Sequence, residues 1–176
     1  MNIKPHETEA RSGAELEYLT LREEALRRSE QRQSLLSITV TLAAAFLGIG
    51  WGTGGAVALM IFPPMAALLA LVWAQNEVHV HRINVYIREQ LSQRVPGLIW
   101  EQYRREDMMR HRIGKFPLDI LAVGGVFIGA QILAVVLAVF RFETYDLVQW
   151  VLLIADIGSI LLLLWTLNYL RRLITQ

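Results

Sequence analysis

Four long stretches of this chain carry almost no charge, while the segments around them are dense with Arg and Glu. A soluble domain spreads about a quarter of charged residues along its length. Here the charged share is 19%, the hydrophobic share is 54%, and the two are segregated. Such segregation fits a chain that meets two solvents. Crossing a bilayer takes about 20 mostly apolar residues, and four segments qualify: Ser34–Gly50, Gly54–Trp73, Leu118–Phe140 and Val148–Leu170. The first is the shortest and just reaches across at the helical rise. The third starts beside Asp119, close enough to its edge for the carboxylate to meet water. The fold class expected is all-α, a four-transmembrane-helix bundle.

Orientation follows from where Lys and Arg fall. Six lie in residues 1–33, eight between the second and third spans, and Arg171 and Arg172 in the tail. Arg141 alone sits elsewhere, in a short loop with Glu143 and Asp146. Both termini and the middle segment are therefore expected to face the cytoplasm. No cleavable leader is read before the first apolar segment, because residues 1–33 mix acidic with basic groups; that segment is expected to be an uncleaved anchor. The resulting divisions are 1–33 (N-terminal leader and helix), 34–74 (spans one and two), 75–116 (a cytoplasmic hairpin), 117–170 (spans three and four) and 171–176 (tail).

The segments outside the bilayer also read as helical. Ser12 followed by Glu15 is a capping-box pattern, Leu16, Leu19 and Leu26 recur at helical spacing, and Glu23–Arg27 and Glu24–Arg28 are favourable i,i+4 pairs. Neither proline nor glycine interrupts the run from Ala14 to Leu47, so one continuous helix is expected to project from the membrane. Gly48, Gly50, Gly52, Gly54 and Gly55 are expected to form a turn, since they lack the strand and Lys-Ser/Thr ending of a phosphate loop. Pro63-Pro64 predicts a kink in span two. That helix is expected to run on past Trp73 with Val80, Ile83, Ile87 and Leu91 as its apolar stripe. Val95-Pro96-Gly97 breaks it, and Leu98–Arg112 reads as a returning helix. Hairpin and N-terminal helix together would make a cytoplasmic helical module.

Few residues carry chemistry. With no cysteine there is no disulfide, thiolate site or thiol nucleophile, and a net charge of +1 gives no footing for nucleic acid. Asp156 lies well inside span four, and intramembrane ionisable groups are functional hypotheses by default. Gln131 in span three and Pro63 and Pro64 in span two fall at similar depth, and Ser159 and Thr166 share the face of Asp156. These residues either line or gate an ion path, or a neutral Asp156 hydrogen-bonds Gln131 or a carbonyl freed by the prolines. Span one presents Ser34, Ser37, Thr41 and Gly48 on one face, span three presents Gly124, Gln131, Ala134 and Ala138, and Gly125–Gly129 matches GxxxG. Trp51, Trp73 and Trp150 fall near span ends, as interface anchors do, while Trp165 lies deeper. His79, His81, His111 and Glu77 fall short of a ligand set, so no metal and no cofactor are expected.

The run Leu21-Arg22-Glu23-Glu24, the stretch Tyr86-Ile87-Arg88, and Gly97-Leu98 with Trp100-Glu101 resemble a group of small, uncharacterised prokaryotic four-helix integral membrane proteins. The likeness covers residues 16–104. It implies a bacterial inner (plasma) membrane and offers no catalytic motif. Tyr86, Arg88, Trp100 and Glu101 then either close the hairpin, with Glu101 meeting Arg88 or Arg94, or form a surface for a soluble partner or ligand.

Two functions are compatible with this reading. One is a homo-oligomeric pore or channel-like protein gated through the cytoplasmic module, with bacterial stress or antiviral membrane effectors as an analogy. The other is a non-catalytic membrane anchor or assembly subunit that recruits a soluble partner. An enzyme would need convergent polar groups, and none is evident.

Overall fold

The computed structural model describes residues 13–53, 55–94, 112–113, 116–141 and 146–175, with isolated positions at 103, 106 and 110. Four helices dominate: α1 (Gly13–Thr53), α2 (Ala56–Tyr86), α3 (Leu118–Phe140) and α4 (Leu147–Thr175). Each contains a stretch long and apolar enough to cross a membrane, which is the architecture of a multi-pass membrane protein. The 23 residues of α3 coincide with the span read from sequence. The N-terminal helix is continuous into the first span, 41 residues in all, and it runs on through Gly48, Gly50 and Gly52, where the glycine run predicts a turn. Lipid and close packing favour keeping those backbone groups hydrogen-bonded in a helix.

A single helix also runs through Pro63 and Pro64 and well past Trp73. It ends in a π-helical segment, Ile87–Leu91, a widened turn of the helix. The returning helix expected at 98–112 lies mostly outside the described residues. Its last position differs from expectation: Arg112–Ile113 pairs antiparallel with Phe116–Pro117, a two-residue bridge that leads into α3.

The bundle is organised around α2. Half of its spanning stretch is buried, against 28% for α3 and 17% for each of α1 and α4. The cause is its alanine content. Ala56, Ala66, Ala67, Ala70 and Ala74 are all buried, and small side chains let neighbouring backbones approach, which lipid-embedded helices need in place of a hydrophobic driving force. Most of α1's packing is against α2, and it barely meets α4.

Three apolar clusters stack along the bundle axis. Trp73, Phe127, Leu163 and Leu167 belong to the first, at the charged end. Ala43, Phe62, Ala66 and Ala134 make the second, in the middle. Leu59, Met60 and Ala138 make the third, at the loop end. Trp73 corrects the sequence reading: it is 5% exposed and packs on Phe127 with ring centroids 6.4 Å apart, so it is core and not an interface anchor. Trp51 and Trp150 are exposed as anchors should be. Trp165 is exposed too, and stacks on Tyr169.

At the loop end, Arg141 closes the structure. Its guanidinium donates to the carbonyl oxygens of Gly50 and Trp51 and lies 5.4 Å from the Trp51 ring centroid. The last carbonyls of a helix lack intrahelical donors and carry the negative end of its dipole, so the one basic residue on this side caps α1. Close by, a Cβ on Gly50 would fall within the space held by the buried Leu59 side chain. Gly50→Ala should therefore cost about 1–3 kcal/mol through overpacking, and Arg141→Ala about 1 kcal/mol through the lost cap. Gly124→Ala should cost less, because the Cβ would meet terminal methyls of Leu167, 2.8 Å away at the closest, which can turn aside. Unfolding of the three variants in detergent, followed by circular dichroism, checks this order.

Candidate functional site

The polar groups inside the membrane-spanning region fall into two kinds. Thr39, Ser159 and Thr166 are buried, and each hydroxyl donates to a carbonyl of its own helix: Thr39 to Leu35 at 2.8 Å, Ser159 to Asp156 at 2.8 Å and Thr166 to Leu162 at 2.8 Å. Back-bonding of this sort satisfies a hydroxyl without help from another helix. Asp156 and Gln131 are different. Both are fully buried, and among the described residues neither the carboxylate oxygens nor the amide atoms have a hydrogen-bond partner. The bond between them that would make them simple interhelical glue is not formed, and the carbonyls opposite the prolines do not take up Asp156 either.

The clusters fix where these two sit. Gln131 follows Phe127 of the charged-end cluster and precedes Ala134 of the middle one. Asp156 follows Leu153, packed at the loop end, and precedes Leu163 at the charged end. Pro63, also buried, adjoins Phe62 of the middle cluster, while Pro64 is half-buried. Two unpaired polar side chains thus occupy the central layer of the bundle, with apolar side chains above and below. The helix faces place them there: Gln131, Ala134 and Ala138 recur along one buried face of α3, and Asp156, Ser159, Leu163 and Thr166 along one buried face of α4.

The small-residue face read on span one points the other way. Ser34, Ser37, Thr41 and Gly48 are exposed, and Thr39, not singled out in the sequence, is the span-one hydroxyl turned inward. Likewise Gly124 faces α4 while Gly125 and Gly129 are exposed and a Cβ on either would touch nothing.

Beyond the spans, α1 and α2 are joined by polar contacts. Arg32 pairs with Glu77, both side chains less than a quarter exposed. Arg28 donates to Asn76 at 3.4 Å, and the Tyr86 hydroxyl donates to Glu17 at 2.7 Å. Arg88 reaches its neighbour Glu89 at 3.0 Å. Trp100, Glu101 and His111 lie outside the described residues. Since Glu77 is engaged by Arg32, it does not join His81 in a ligand pair, and no cluster able to hold a metal ion occurs among the described residues. The Arg32–Glu77 pair had a signal in the sequence: opposite charges stand just outside spans one and two at matching depth.

No protein-family model, curated protein or solved structure matches the chain, so its function has to be read from its own residues.

Leaving a buried polar group unpaired costs about 1–3 kcal/mol, whereas an apolar group of similar shape avoids that cost. Gln131→Met should therefore raise stability by about 1–3 kcal/mol. Thermal unfolding in detergent would show it, and a fall would mean that the amide is held. Across the α1–α2 seam, a double-mutant cycle of Arg32→Ala and Glu77→Ala should give a coupling of about 1 kcal/mol, at the upper end for exposed pairs because this one is partly desolvated.

Proposed function

We propose that this protein is a homo-oligomeric, channel-like membrane protein whose polar path runs inside each chain, between α2, α3 and α4. One observation carries the reading: Asp156 and Gln131 lie unpaired in the central apolar layer. Such groups are expensive in a bilayer and are kept where ions, protons or polar solutes pass. In this reading Asp156 interacts with the permeant species, Gln131 assists, and Ser159 and Thr166 extend a weakly polar lining. The clusters around Trp73 and Phe127 at one end and around Leu59 and Met60 at the other seal the layer, so the conformation described is closed. Gating acts through α1 and α2, the helices that extend from the spans and are joined outside them. The setting is a plasma membrane, with the charged end of the bundle in the cytoplasm by the distribution of basic residues.

A second reading is favoured by the same extension. Helices α1 and α2, clasped by Arg32–Glu77, Arg28–Asn76 and Tyr86–Glu17, make a stiff platform suited to an anchor that recruits a soluble partner.

Ion flux from liposomes separates the two. Purified protein should pass ions or protons at a rate that Asp156→Asn changes severalfold while leaving the fold intact. Equal rates for the wild type and the Asn variant, or silence from both in correctly inserted protein, would overturn the channel reading and leave the anchor.

A further inference from the structure

From end to end, α1 leaves one face uncovered, and the chemistry of that face changes where the helix enters the membrane. At 100° per residue, Leu16, Leu19, Leu26, Ser34, Ser37, Thr41, Ala44, Gly48 and Gly52 fall within a stripe about 100° wide. Every one of them is exposed. In the charged half, the leucines are 53%, 43% and 54% exposed, and the buried apolar residue there is Ala25, on another face. In the spanning half the stripe is all small residues. A Cβ on Gly48 or Gly52 would meet nothing, and the Thr41 hydroxyl is already satisfied by the Ser37 carbonyl at 2.9 Å.

Water and lipid ask for different helix interfaces. In water, apolar bulk at heptad spacing drives association. In lipid there is no hydrophobic drive, and small residues that let backbones approach take its place. The α1 stripe obeys each rule on the correct side of the boundary.

We infer that this face of α1 binds the same face of a second copy, forming a parallel helix pair that runs unbroken from water into the bilayer. The occupant must switch from leucine to small residues at the same depth as α1 does. A soluble partner would cover only the leucines, and an unrelated transmembrane helix only the small residues. A second copy, inserted in the same orientation, matches both halves. The area suffices as well. From Leu16 to Gly52 the helix is about 54 Å long, and a strip about 10 Å wide would bury about 1,000 Å² over both partners, which is what a specific interface needs. Charge works against the pair at one place. Glu23 is met by Arg27 at 2.7 Å, but Glu30 lies on the stripe and would face its own copy. This inference rests on the homo-oligomeric part of the proposed function and assigns its interface; the ion path inside each chain does not depend on it.

The protein has no cysteine, so single cysteines report contacts cleanly. Leu19→Cys, Leu26→Cys, Ser37→Cys and Gly48→Cys, oxidised in liposomes, should each give covalent dimer. Glu24→Cys and Val40→Cys, exposed on other faces of α1, should give several-fold less. Gly48→Leu should lower dimer formation at Leu26→Cys about tenfold, and Glu30→Gln should raise it. Equal yields on all faces, dimer in only one half of the helix, or none in folded protein would overturn the inference. Flux measured on the same liposomes keeps the two proposals apart. Intact crosslinking without flux counts against the channel alone, and flux without crosslinking counts against the interface alone.

Discussion

Alanine on α2 is the constraint from which the rest of the bundle follows. Inside a bilayer, lipid tails compete on equal terms with apolar side chains, and helices hold together through close packing. The buried alanines of α2 let other helices come near, and larger side chains fill what remains: Phe62 with Phe46 toward α1, Trp73 with Phe127 toward α3. Because α2 takes most of the packing, the outer helices keep wide uncovered faces. The same arrangement buries Asp156 and Gln131 in the interior and turns the small-residue face of α1 outward.

Much of this architecture was legible in the sequence, because span length and charge segregation are one-dimensional signals. The third span matched to the residue, and the unbroken helix from Ala14 onward followed from the lack of proline and glycine. Depth was legible as well: counting residues from the span ends put Asp156, Gln131 and Pro63 in one layer, and the clusters place them there.

Facing was harder. Ser37 and Thr41 fall on one face of span one, but periodicity shows only that residues share a side, and not whether that side packs within the chain or is left for another copy. Thr39, on another face of the same helix, is the buried hydroxyl. Trp73 misled in the same way, since a tryptophan near a span end also fits a core that extends as far as the interface. The Arg141 cap eluded composition because its partners are backbone carbonyls, which the sequence does not display. The absent Asp156–Gln131 bond was equally out of reach, since equal depth on two helices does not bring side chains within 3 Å.

The unbroken length of α1 has a mechanical side. A 41-residue helix is a rod about 60 Å long, steadied in the bundle near Ala43, where it meets Phe62 and Ala66. About 45 Å of rod lies on the charged side of that point and about 15 Å on the other. On the charged side, however, α2 also holds it at Arg32, Arg28 and Glu17, so the rod is fixed along its length rather than hinged at one point. The two helices therefore bend together, and their stiffness outside the spans is that of a paired beam rather than of a single helix.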